Sequence, residues 1–260
     1  MKSSFIYLFC LFFVAEALAY DPDSAVRDLD ADYTVYEEKA AGHTIRNTTT
    51  RTSALGSARL YDPAKLPAAT KWKSLQAMQL RFEFIRDTRF LEWNRNGSFP
   101  RRSSWLYPDD GCYARAALAN RNLFRLFVPI PSKVFAFGNL RVKTSNNPRG
   151  KVGWWYHVAP IVQVDGVKFV LDPAIEPQRP LELSEWLSRM GTPQKIKVSI
   201  CSSGAYAPRG DCLNETDGLE KRAENAQRHF LELEWKRLVK LGRTAEVQLG
   251  EHPPWMNTTN

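Results

Sequence analysis

Cysteine is scarce in this sequence and histidine no commoner: four of each among 260 residues. The shortage removes whole classes of chemistry. Cys201 and Cys212 have no second His/Cys pair at ligand spacing beside them, so no metal site is expected and no cofactor enters the reading. Long apolar runs are missing as well. The stretch from Phe5 to Val14 is too short to span a bilayer comfortably, and nothing later is apolar enough to try. Basic residues do not run together. Within 71–213 only Arg101 and Arg102 are adjacent, and no nucleic-acid motif or stacking platform accompanies them. There is no internal repeat.

What is present begins with the leader. Lys2 precedes the apolar run, and Ala17-Leu18-Ala19 has the small-x-small form of a signal peptidase site. Residues 1–19 therefore read as a cleaved signal, the product is expected to be secreted or periplasmic, and no stable membrane insertion is expected after cleavage. Cys10 leaves with the leader. Three cysteines remain, an odd number in an oxidising compartment. Cys201 and Cys212 enclose the Ser/Gly/Pro-rich loop 202–211 and are expected to form a local disulfide, which stabilises by about 2–3 kcal/mol when unstrained. That leaves Cys112 as a free thiol, and an exported protein that keeps one usually keeps it for chemistry. Net charge is +8; Lys2 and Glu16 cancel, so the excess belongs to the rest of the chain. Spread out as it is, it reads as a solvated surface rather than a docking face.

Four regions follow from composition. After the signal, residues 20–70 read as a weakly structured polar leader or pro-segment: Tyr20 to Lys39 is acidic, and His43 to Ser57 is rich in Thr, Ser and Arg. Residues 71–213 carry the folded, chemistry-bearing domain. Residues 214–260 hold an amphipathic helix and a frayed tail. Within the domain, Trp72 to Trp93 has helical periodicity through Leu75, Met78, Phe82, Ile85 and Arg89, and Gly97 and Pro100 end it. A second helix is expected from Cys112 to Arg125, capped by Asp109-Asp110. Val134 to Lys143 reads as a strand, Leu183 to Met190 as a short helix, and Thr216 to Leu241 as a long one with Leu219, Ala223, Ala226, Phe230 and Leu233 on one stripe. Asn47, Asn96, Asn214 and Asn257 head glycosylation-type sequons.

Val152 to Val164 and Val167 to Asp172 flank Asp165-Gly166, a two-residue hairpin signal. That loop sets the register: Val164 faces Val167, Val162 faces Phe169, and Ala159 faces Asp172. One face then collects Val158, Val162, Val164, Val167, Phe169 and Leu171. The other carries His157, Ala159, Gln163, Lys168 and Asp172, with Ile161 and Val170, so it must be covered, plausibly by the helix that starts at Cys112. His157 lies diagonally across from Asp172, about 7–8 Å away at the backbone, which the two side chains can bridge. Cys112 at a helix N-terminus is favoured as a thiolate; such a site, with a neighbouring imidazolium, can bring a cysteine into the range of about 3.5–7.5, while Asp109 and Asp110 oppose the shift. Gly111 would let a substrate approach the backbone. His43, His229 and His252 lie in the leader, on the long helix and in the tail, and carry no role.

The strings DGCYARA at 110–116, FGNL at 137–140, WWYHVAP at 154–160 and LDP at 171–173 together resemble the protein-glutaminase (protein-glutamine deamidase) family over about residues 72–213. The resemblance implies a papain/transglutaminase-like α+β fold, with an antiparallel sheet packed against the helix that starts at the cysteine. It implies a Cys112–His157–Asp172 triad that hydrolyses the side-chain amide of protein-bound glutamine to glutamate and ammonia through a cysteinyl thioester. The partners implied are proteins or peptides with accessible glutamine, and a monomer is expected. Trp154, Trp155, Tyr156, Tyr113 and Gly111 would flank the slot for the glutamine side chain. Secreted members can carry an inhibitory pro-segment, which residues 20–70 could supply. The same triad could serve a transglutaminase-like acyl transferase or a cysteine peptidase, and a non-enzymatic secreted binding protein could reuse the fold.

Overall fold

The computed structural model of the chain describes residues 23–44, 52–93, 99–213 and 218–256. The signal segment with Cys10, the sequons at Asn47, Asn96, Asn214 and Asn257, and Gly97 lie outside those residues. The N-terminal part contributes α1 (Tyr33–Thr44), α2 (Ala54–Ser57), β1 (Arg59–Leu60) and β2 (Thr70–Lys71). The middle contributes α3 (Leu75–Asp87), α4 (Cys112–Phe124), β3 (Ser132–Lys143), β4 (Lys151–Val164), β5 (Val167–Val170), β6 (Leu181–Glu182), α5 (Leu183–Met190) and β7 (Lys197–Cys201). The C-terminal part contributes α6 (Leu219–Lys240) and α7 (Ala245–Leu249).

The hairpin organises the sheet. Asp165 and Gly166 both take positive φ, +49° and +84°, the left-handed pair that a two-residue turn of the primed type needs. The register follows as expected: Val164 pairs with Val167, Val162 with Phe169, and Ile161 with Val170. Ladder pairing stops at Val170, and Leu171 extends it by one bond, its N–H donating to Pro160 O at 2.9 Å. The strand order is β1-β7-β3-β4-β5-β6, antiparallel throughout except that β2 runs parallel to β4 where β3 has ended.

Helix α4 lies against this sheet as the helix that starts at Cys112. All of it except Arg121 and Phe124 is buried. Its alanines, Ala114, Ala116, Ala117 and Ala119, let neighbouring backbones come close, and a helix apolar on most sides is a buried one. Helix α3 buries Met78, Phe82 and Ile85 of the expected stripe, together with Val162, Val164 and Leu171 from the apolar face of the hairpin, while Leu75 stays exposed. Helix α5 buries Leu183, Trp186, Leu187 and Met190 along one face. The α+β class and the cysteine-headed helix on an antiparallel sheet are thus as the sequence implied. Cys201 and Cys212 are bridged, and Cys112 is the free cysteine among the described residues. Among those residues no helix is long and apolar enough to cross a membrane.

Two expectations are corrected. The region 20–70 is not weakly structured where it is described. Strand β1 pairs with β7, β2 pairs with β4, and Ala25, Ala40 and Ala54 are buried. Its order comes from backbone pairing to distant strands and from small side chains, neither of which leaves a periodic apolar signal. The tail is not frayed either. Trp255 is buried with Trp105, Leu106, Leu238, Ala245 and Leu249, and its indole N–H donates to Asp87 at 2.8 Å.

Candidate active site

The residues that bear chemistry come from three elements that the register brings together. On the polar side of the hairpin, His157 Nε2 meets Asp172 Oδ2 at 2.7 Å, the diagonal contact expected from a two-residue turn. Both groups are buried. Trp186, from α5, donates its indole N–H to the same carboxylate oxygen at 2.9 Å. The imidazole is held between two indoles, with Trp154 stacked at 4.3 Å between ring centres and Trp186 at 5.6 Å. Burial opposes the charge on Asp172, but the charge and hydrogen bond of His157 and the Trp186 bond outweigh it and hold its pKa below the ordinary carboxylate value. With Nε2 committed, His157 Nδ1 is left buried and without a hydrogen-bond partner. It is the ring nitrogen free to exchange a proton.

Cys112 begins α4, preceded by Gly111 at φ +83°. Its sulfur receives the backbone N–H of Val158, the residue after His157, which seats the thiol against the ribbon. The expected low pKa is corrected. Burial pushes the thiol up to about 12, although the charge of Arg115, one turn along the helix, pulls the other way. Asp110 is corrected as well. It makes no side-chain cap to the helix; instead its carboxylate accepts the N–H groups of Gly111 and Ala25 and the hydroxyl of Ser24, at 2.7, 3.0 and 2.5 Å.

That last set reveals the cover. Between Phe137 and Leu140 the β3–β4 register shifts, and Trp155 is left without a ladder partner on β3. Its N–H turns to Ala25 O at 3.1 Å, and Arg27 N–H reaches Gly153 O at 3.2 Å. Residues 25–27 thereby add a short antiparallel bridge to the edge of β4, centred on Val26 and Trp154. Trp155 Nε1 donates to Ser24 O at 2.9 Å, and the Tyr156 hydroxyl donates to Asp23 O. The aromatic residues expected to wall a substrate slot, Trp154, Trp155, Tyr156 and Tyr113, are all buried, the first three beside this segment. Alternation predicts that only one of Trp154 and Trp155 faces the site. Trp154 lies on His157, while Trp155 bonds Ser24 of the cover. The space above Gly111 is not open to a substrate: a Cβ there would sit 2.6 Å from the Phe230 ring of α6.

Helix α6 braces the loop that leads to Cys112. Buried Glu234 pairs with buried Arg101 and accepts the Leu106 N–H at 2.8 Å, and Gln227 accepts the Ser104 N–H at 2.9 Å. Arg237 pairs with Asp109, and Arg222 with Asp23 of the cover. The Arg115 guanidinium ties the same loop by donating to Tyr107 O and Asp110 O at 3.1 and 2.7 Å. Sequence reasoning missed Trp186, Arg115 and these buried α6 polar groups. Arg115 sat inside the quoted motif, one helical turn past the cysteine, and that spacing was a usable signal. Among the described residues no three His, Cys, Asp or Glu side chains come together as metal ligands.

A helix headed by a buried thiol lies across an antiparallel sheet that presents a His–Asp couple, the heart of an α+β core. Residues 78–190, the segment that contains Cys112, His157 and Asp172, match a family model described as glutaminase. Similar solved structures include a mutant of pro-protein-glutaminase (17% identity, 73% of this chain and 62% of that chain, TM-score 0.48) and pro-protein-glutaminase itself (21%, 65% and 62%, 0.45). A third is the NMR structure of protein-glutaminase from Chryseobacterium proteolyticum (20%, 61% and 84%, 0.42). The chain spans about 62% of the length of the two pro-forms. No curated protein matches it.

Proposed function

We propose that the chain is a secreted protein-glutamine deamidase that acts through a cysteinyl thioester. The observation that carries this reading is the seating of Cys112 against Val158, beside a His157 whose Nδ1 is free and whose Nε2 is held by Asp172, all inside the glutaminase-matching segment. Cys112 thiolate attacks the carboxamide carbon of a glutamine side chain. The first-turn N–H groups of α4 receive the oxyanion. His157 Nδ1 delivers a proton to the departing ammonia, then takes one from water, which attacks the thioester and releases glutamate. Asp172 fixes the tautomer and orientation of the ring, with Trp186 holding the carboxylate in turn.

The covered thiol, with its raised pKa, fits a latent state. Residues 23–31 are the inhibitory part, and the removable segment ends before Thr52 rather than at residue 70, because β1 and β2 belong to the sheet. The test is ammonia release from a casein-like protein, with the substrate's mass followed, by the full chain and by a chain that begins at Thr52. The shorter chain is expected to be the faster one, and Cys112→Ala to abolish release while leaving the fold intact. Fragments would mark a peptidase, incorporation of an added amine a transglutaminase, and undiminished ammonia release from Cys112→Ala would end the reading.

A further inference from the structure

A cavity of about 310 Å³ opens between the start of β4, the β3–β4 turn and the end of α6. Gly153 and Asp109 form part of its wall. Gly153 precedes Trp154, the indole stacked on His157, and that indole donates to the backbone oxygen of Asp109 at 3.0 Å, so two of the cavity's lining residues hold Trp154 in place. Its remaining wall is cationic, with Arg27, Arg149, Lys151, Arg237 and Lys240 converging from three stretches of the chain. Scattered in sequence, these cations are gathered by the β3–β4 turn and the last turn of α6.

The one carboxylate on this wall is already neutralised. Asp109 accepts both arms of Arg237, at 3.1 and 2.5 Å, and the Asn147 amide at 2.9 Å. Arg149, Lys151 and Lys240 are exposed and form no ion pair among the described residues. The cover contributes only Val26, Arg27 and Leu29 to the wall, so the other cations stay in place when it is withdrawn. A cluster of unneutralised cations beside a cleft raises the local concentration of anionic ligands.

We propose that this basic pocket is a specificity site: it binds acidic side chains that flank the target glutamine of a substrate protein. The proposal rests on the deamidase reading for its substrate, but not for the binding itself. Each exposed cation contributes modestly and is screened by salt, so the three together are expected to favour acidic over neutral flanks by about three- to tenfold at low ionic strength.

The test uses matched peptides with one glutamine flanked by glutamates, serines or lysines, and the charge-reversed double variant Lys151→Glu with Lys240→Glu. With ammonia release as the readout, the glutamate peptide is expected to lead in kcat/KM, mainly through KM. The lead should shrink as salt is added and reverse in the double variant, with the serine peptide unchanged. In parallel, binding of the fluorescein-labelled glutamate peptide to the full chain is followed by anisotropy, and affinity is expected to fall at least threefold in the double variant. Equal rates on all three peptides, or an acidic preference and affinity that survive the reversal, overturn the proposal. Absence of ammonia release from every peptide, by the full chain and by the chain that begins at Thr52 alike, with acidic binding that the reversal removes, overturns the deamidase reading and leaves the pocket standing.

Discussion

The β4–β5 ribbon and the segment 23–27 both pack beside the start of α4, yet they are held by different physics. The ribbon is local. A turn with two left-handed residues fixes its register, alternation fixes its faces, and the apolar face is buried against α3, so that the pairing of His157 with Asp172 is legible in the sequence itself. The cover is non-local. It rests on Asp110, Trp155, Tyr156 and Gly153, and on Arg222 from nearly two hundred residues away, with Asp23, Ala25 and Arg27 buried but Ala25 alone of these apolar. The ribbon is built to stay. The cover hangs on a handful of hydrogen bonds, each worth about 0.5–1.5 kcal/mol net, which suits a segment proposed to be removable.

Disabling the ribbon is expected to have the largest effect. Asp172→Asn keeps an acceptor for the Trp186 indole but removes the charge that orients His157, and should lower kcat by about 10²–10⁴-fold. Cys112 alkylation in the full chain should stay as slow as before, because the cover is untouched. Steady-state ammonia release and iodoacetamide labelling check the two halves of that statement. An undiminished kcat would move the orienting role to another group.

Next comes the brace behind both elements. Glu234→Ala strands the buried Arg101 guanidinium and the Leu106 N–H, which should cost about 3–5 kcal/mol and lower Tm by about 10 °C in thermal unfolding. Glu234→Gln, which keeps the acceptor, should cost less. A variant of unchanged Tm would make the Arg101–Glu234 pair incidental.

The smallest change loosens the cover alone. A Cβ on Gly153 would sit 2.3 Å from Leu29, so Gly153→Ala pushes the segment away from β4. Cys112 labelling should rise several-fold, on the scale of about one lost hydrogen bond. The pH profile sharpens this. A thiol whose folded pKa is raised from about 9 to about 12 holds its proton, so its contribution to the covered state is complete below about pH 9 and is lost as pH rises toward 12. Labelling of the full chain should therefore stay slow through pH 9 and climb above it, and the climb should begin at lower pH in Gly153→Ala. Identical profiles would detach the raised pKa from the cover.

This contrast also explains what could be read from the sequence. The hairpin, α4, α5 and the Cys201–Cys212 pairing were legible because their signals are short-range: a turn dipeptide, a helical stripe, a loop of small residues. The N-terminal pairing was not, since β1 and β2 are two residues each and take their meaning from strands far along the chain. The α6 stripe expected from Leu219, Ala223, Ala226, Phe230 and Leu233 omits Gln227 and Glu234, which are buried, because a buried polar residue is recognised only by the partner it satisfies. Charge clustering failed for the same reason, since Lys151 and Lys240 become neighbours only after folding.

The most direct test is to trap the covalent intermediate. The chain beginning at Thr52 is mixed with a glutamine peptide, quenched in acid within the first turnover, and its intact mass and adduct site are read by mass spectrometry. The account predicts an adduct equal to the peptide less ammonia on Cys112, absent from Cys112→Ala and accumulating when water attack is slowed by Asp172→Asn. Ammonia released with no adduct on Cys112, and released equally without that sulfur, would contradict it.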